Sequence, residues 1–63
     1  MKASEARRRR ETIAANRRAF EALRDAALDQ RDASPDEVNC LNSIIADKAE
    51  SEAKLAKIEA ATS

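Results

Sequence analysis

The 63-residue sequence has no glycine, histidine, tryptophan or tyrosine, and only one cysteine and one proline. Without glycine, a glycine-rich phosphate-binding loop cannot form. Without histidine, and with a single thiol, the chain lacks the usual nucleophile–base pair and the usual Cys/His metal-ligand set. The sequence therefore predicts a non-enzymatic protein with no catalytic residues, no cofactor and no metal.

Long apolar runs are also absent. No stretch of about 18 apolar residues is present, so no membrane-spanning segment is predicted. The basic residues near Met1 are not followed by the apolar stretch of a secretory signal. Cys40 has no second cysteine for an intrachain disulfide. These absences predict a cytoplasmic protein without membrane partners.

Alanine, arginine, lysine and glutamate dominate the composition, with 15 alanines, and this favours long helices over sheet. A chain of this length makes one small domain, predicted to span residues 1–63. Only 11 residues are aliphatic or aromatic and larger than alanine. Because ordering the backbone costs about 1–2 kcal/mol per residue, a lone helical hairpin would be marginally stable. Self-association or a protein partner is therefore expected to supply stability.

A capping signal lies near the middle of the chain. Ser34 is a favoured N-cap residue, and Pro35 suits the first helical position. Glu37 follows Ser34 by three residues, the spacing of a reciprocal capping box. We therefore predict an all-α, two-helix antiparallel hairpin with helices at about 4–31 and 35–60.

Larger apolar residues recur in both helices at alternating steps of three and four, the pattern of a helix-packing seam. Asn16 interrupts the first seam, and Lys48 and Ser51 interrupt the second. In the closed hairpin these polar residues lie level, and such polar layers can fix register. We expect two hairpins to form an antiparallel four-helix bundle, most simply a homodimer. The predicted core and oligomer interface consists of Ile13, Phe20, Leu23, Leu41, Ile44, Ile45, Leu55 and Ile58.

The net charge of zero hides an asymmetry between the two halves. Residues 1–24 carry eight basic and three acidic residues, whereas residues 25–63 carry four basic and nine acidic ones. The basic run could bind phosphate groups of a nucleic acid, with strong salt dependence. It could instead meet the acidic second helix and orient the hairpin. The candidate partner-binding patch consists of Arg7, Arg8, Arg9, Arg10 and Arg17.

The turn Arg31-Asp32-Ala33-Ser34-Pro35-Asp36-Glu37, followed by Leu41, Ile44, Leu55 and Ile58, resembles a phage element. It is similar to the N-terminal scaffolding segment (delta domain) of tailed-phage major capsid proteins, which has a basic helix, a capped turn and an acidic heptad helix. The resemblance implies a phage-derived module for assembly, scaffolding or regulation. Its function would be self-association and binding to a capsid or host protein.

A second resemblance is to the plasmid Rop family of antiparallel hairpins, which dimerise into a four-helix bundle and bind paired RNA loops. The spacing of Arg9, Asn16, Phe20, Arg24 and Arg31 is similar to the RNA-facing row of that family. This resemblance implies an RNA-binding homodimer that uses a basic first helix. RNA binding is therefore the alternative function.

Overall fold

A computed structural model describes residues 1–30, 32 and 34–62 and shows two α-helices, α1 (Ala3–Leu28) and α2 (Pro35–Thr62). No strand occurs in this part of the chain, and the predicted two-helix hairpin is confirmed there. The helices lie side by side and antiparallel in a rod of 47 × 14 × 11 Å. Neither helix combines the length and the apolarity that a membrane span requires, within these described residues.

Helix α1 begins and ends slightly earlier than the sequence predicts. Lys2 is the N-cap, with extended backbone and no side-chain capping bond, so Ser4 lies inside the first turn. The helix ends at Leu28, and its last turn contains no basic residue. Asp25 and Asp29 place negative charge at the negative end of the helix dipole, which disfavours further turns. Arg31, the predicted end, lies outside the described residues.

Helix α2 begins at Pro35, as predicted, and continues to Thr62, beyond the predicted end at residue 60. The Ser34 carbonyl accepts the first helical hydrogen bond, from the Val38 N–H at 3.1 Å. The reciprocal capping box of Ser34 and Glu37 stays a prediction. The acidic first turn still complements the positive end of the helix dipole.

The core between the two helices is thin. Ala6 is completely buried, whereas no large side chain among the described residues is fully buried. Larger apolar residues such as Phe20 and Leu41 are half-buried at the line of contact. One hairpin therefore removes only part of its apolar surface from water.

Phe20→Ala tests the contribution of this thin core. Because Phe20 is half-buried, we expect a loss of about 2 kcal/mol in the free energy of unfolding, below the value for a fully buried Phe. Urea unfolding followed by circular dichroism at a fixed protein concentration measures this loss. Leu28→Ala is the matched control, since Leu28 is 57% exposed. An equal loss in both variants would show that Phe20 is not a core residue.

Candidate functional site

Three arginines of α1, spaced seven residues apart, extend toward α2. Arg10 lies 3.0 Å from a carboxylate oxygen of Glu59. Arg17 donates a 2.5 Å hydrogen bond to Glu52. Arg24 donates a 3.3 Å hydrogen bond to the amide oxygen of Asn42. We name this set the arginine ladder. It consists of Arg10, Arg17 and Arg24 on α1 and Glu59, Glu52 and Asn42 on α2.

The carboxylates of the ladder are shielded from solvent. The side chains of Glu52 and Glu59 are only 16% and 17% exposed. Arg17 also contacts Glu21, one turn further along α1, so one guanidinium joins two carboxylates. Charge-assisted bonds in such networks are stronger and more specific than isolated surface ion pairs. The ladder therefore fixes how the two helices are rotated against each other.

Glu59 closes the open end of the hairpin. Its carboxylate accepts hydrogen bonds from Arg7 at 2.9 Å and from Arg10 at 3.1 Å. The bond from Arg7, followed by that from Arg10, lowers the pKa of Glu59, and the bond to Glu59 raises the pKa of Arg7. In the same way, the hydrogen bond to Glu52 raises the pKa of Arg17. The charged forms are thus the forms that the fold stabilises.

On α1, the apolar residues lie beside the ladder and turn progressively outward. Each residue advances about 100° around a helix, so Phe20 lies about 60° from Arg17, and Leu23 lies about 60° further in the same direction. Phe20 is half-buried, with the Lys48 ammonium 5.3 Å from its ring centroid. Leu23 is 56% exposed. The row therefore begins between the helices and ends in solvent.

Helix α2 repeats this arrangement. Leu55 and Ile58 are displaced from Glu52 by the same two steps, and Ile58 is 36% exposed. In antiparallel helices the same sense of rotation carries both rows to one side of the hairpin. We call this side the apolar face. It consists of Ile13, Phe20, Leu23, Ile44, Leu55 and Ile58.

The predicted core residues divide into two groups. Six of them are half-buried between the helices, whereas Leu23 and Ile58 project from the apolar face. The predicted seam placed Asn16 and Leu23 toward α2, but both residues are exposed. The arginines that follow them, Arg17 and Arg24, face α2 instead. The half-buried group is Ile13, Phe20, Leu41, Ile44, Ile45 and Leu55.

The inward arginines were not predicted, because apolar periodicity does not assign charged residues to a packing seam and such residues are usually solvated. The signal that could have found them is their spacing of seven residues, matched by the same spacing between Glu52 and Glu59. In an antiparallel hairpin, those two acids come level with two of the arginines. Polar residues at heptad positions can be part of the packing seam as well as of the surface.

The predicted basic patch is largely occupied within the hairpin. Arg7 and Arg10 bind Glu59, and Arg17 binds carboxylates on both helices. Arg8 and Arg9 are exposed, and no carboxylate of the described residues lies within ion-pair distance of them. Only these two members of the patch are free to meet another molecule.

The rest of the described surface offers long faces and no enclosed site. Over residues 1–30, 32 and 34–62, no cavity is present and no three Asp, Glu or Cys side chains are arranged to hold a metal ion. Cys40 is exposed. The chain matches no family model, no curated protein and no solved structure at a significant level. The apolar face and the ladder are therefore the two features of the described surface to which a function can be assigned.

Acidification should destabilise the hairpin through Glu59. The folded chain holds the pKa of Glu59 below its ordinary value, so the unfolded chain binds more protons at low pH. The free energy of unfolding therefore decreases as the pH is lowered. The contribution is complete above the ordinary glutamate pKa and is lost as the pH falls through the lowered pKa of the folded state. Thermal melts followed by circular dichroism between about pH 7 and pH 2 measure this loss.

Glu59→Gln should flatten this pH profile and lower the melting temperature at neutral pH. Glu50→Gln is the control, because the ion pair of Glu50 with Lys54 is exposed on both sides. If Glu59→Gln and the wild-type chain lose stability in parallel on acidification, Glu59 does not close the hairpin.

Proposed function

We propose that this chain is a small, non-enzymatic protein–protein interaction module that acts as a homodimer. Two hairpins pack their apolar faces together and form an antiparallel four-helix bundle. The observation that carries the proposal is the apolar face itself. It places Leu23 and Ile58, at 56% and 36% exposure, beside the half-buried Phe20 on one side of the rod.

The exposed area of the hairpin fits a second copy. The chain exposes 4720 Å², whereas a compact monomer of 6.9 kDa exposes about 4000 Å². The excess is similar to the roughly 800 Å² that each partner buries in a standard interface. A dimer would also give the thin core a second layer of apolar side chains, which one hairpin lacks.

Charge along the rod supports the antiparallel arrangement. Residues 25–39, at the turn end, carry five acidic residues and one basic residue. Residues 1–11 and 50–62, at the open end, carry seven basic residues and five acidic ones. An antiparallel dimer places the acidic turn of one hairpin beside the basic open end of its partner, and complementary potentials favour that orientation.

The bundle would present its outer helix faces to a further protein. The resemblance of the capped turn and heptad helix to phage scaffolding segments supports a capsid or host protein as that partner, in the cytoplasm of the host. Assembly, scaffolding or regulation by adaptor binding are the roles that such a module performs. Its chemistry is surface complementarity, and no covalent step is involved.

Leu23→Glu tests the dimer. Leu23 contributes little to one hairpin but lies on the apolar face, so a charge there should abolish dimerisation, and the helix content should fall because the dimer no longer stabilises the hairpin. Sedimentation equilibrium at micromolar concentration measures the association, and circular dichroism measures the helix content. Ala22→Glu is the matched control, since Ala22 is exposed away from the apolar face. A wild-type chain that is monomeric and fully helical, or a dimer unaffected by Leu23→Glu, would contradict the proposal.

RNA binding by a Rop-like dimer is the second candidate function. The observation that favours it is the pair Arg8 and Arg9, exposed and without a carboxylate partner in the described part of the chain. Two other members of the resembling row are engaged within the hairpin. Phe20 lies beneath Lys48, and Arg24 is hydrogen-bonded to Asn42.

The two functions are separated by a binding titration with a fluorescein-labelled RNA stem-loop pair. For the protein-interaction module, we expect no binding at about 0.15 M salt. An RNA-binding dimer would bind with strong salt dependence and lose this affinity in Arg8→Ala/Arg9→Ala. Lys54→Ala/Lys57→Ala, which removes two exposed charges from α2, is the control. Binding that only the arginine variant loses would favour the second function.

A further inference from the structure

Three polar residues interrupt the apolar face halfway along the rod. Asn16 lies at the middle of α1 (Ala3–Leu28), and Lys48 and Ser51 lie at the middle of α2 (Pro35–Thr62). They share the helical rows of the apolar face, because each is three or four residues from one of its members. Apolar residues lie on both sides, toward the turn and toward the open end. The face is thus two apolar patches joined by one polar strip.

Lys48 lies over the ring of Phe20, and no anion is found beside it among the described residues. It is half-buried, with its ammonium 5.3 Å from the ring centroid of Phe20, a cation–π distance. No carboxylate of the described residues lies within ion-pair distance of it. The acid one turn away, Glu52, is bound by Arg17. Within one hairpin, none of residues 1–30, 32 and 34–62 accepts a hydrogen bond from this ammonium.

We propose that Asn16, Lys48 and Ser51 form the central polar layer of the dimer and determine its register. This inference rests on the proposed homodimer and adds the residues that select one arrangement of it. In the bundle, the ammonium of Lys48 donates to the amide oxygen of Asn16 and the hydroxyl of Ser51 of the second copy. The cation–π contact holds each ammonium on its own hairpin, so the two positive charges stay apart across the two-fold axis.

The selectivity follows from the cost of a misaligned charge. A two-fold axis through the middle of the face places the polar strip of one copy on that of the other. A slip by one heptad would instead press Lys48 against an apolar patch, where an ammonium without partners is expensive to bury. Polar residues in coiled-coil seams specify register and oligomer state in the same way, at a cost in stability.

Lys48→Met tests the layer, with Lys57→Met as its matched control on the exposed surface. Replacing the buried ammonium by an apolar chain should tighten association about tenfold or more. It should also remove the selectivity, so that higher oligomers or a second orientation appear. Asn16→Ala should weaken the dimer, because it removes an acceptor of Lys48 without touching the interior of the hairpin. Sedimentation equilibrium measures all four association constants.

Orientation is measured by the distance between spin labels at Ala26→Cys in a Cys40→Ser background. Ala26 is exposed on the side of α1 away from α2 and lies ten residues from Asn16. In the antiparallel dimer its two copies are therefore separated by about 30 Å along the bundle axis. We expect this single long distance for the wild-type layer and an additional shorter one for Lys48→Met.

The outcomes separate the layer from the dimer. If the wild-type chain dimerises and Lys48→Met matches Lys57→Met in affinity, stoichiometry and label distance, the layer is overturned and the dimer stands. If the wild-type chain is monomeric, the proposed function fails and the layer fails with it. Tighter association with mixed orientations in Lys48→Met alone supports the layer.

Discussion

The rotation of the two helices depends on the arginine ladder. Because Arg10 and Arg17 reach across to Glu59 and Glu52, α1 turns its charged row toward α2. The neighbouring apolar row is then displaced to one side, where Leu23 is largely exposed. Apolar residues would have filled the inner seam in an ordinary hairpin. Here ion pairs occupy part of that seam, and apolar surface remains for another molecule.

This arrangement gives the described part of the chain exposed helix faces and no pocket. Ion pairs between the two helices close the hairpin, and the larger apolar side chains are only half-buried. A second copy would complete that layer and bring complementary charges at the two rod ends together. Buried polar groups are weak evidence for stability but are well suited to specifying one arrangement. The ladder, whose side chains are only partly buried, performs this role within a hairpin, and we infer the same role for Lys48 between hairpins.

Much of the fold follows from the sequence, because the helix-start signal at Ser34 and Pro35 and the helix-forming composition act locally. The position of the turn also predicts which residues of α1 and α2 lie opposite each other, to within about one helical turn of the pairs in the ladder. The rotation of α1 could not be predicted in this way. Whether Arg17 or Asn16 faces α2 depends on acids more than 30 residues away, and apolar periodicity alone does not count those pairs. Leu23 therefore lies on the same helix row as Phe20, as predicted, but this part of the row faces solvent and not α2.

The most direct test of the account is an isotope-filtered nuclear Overhauser experiment on a mixture of labelled and unlabelled chains. It detects only contacts between different copies. If the apolar face is the interface, intermolecular contacts arise from the methyl groups of Leu23 and Ile58, and none arise from Ala22 or Ala53 on the opposite side. A spectrum without intermolecular contacts at Leu23 and Ile58, or with contacts confined to the alanines, would contradict the central claim that the apolar face is the dimer interface.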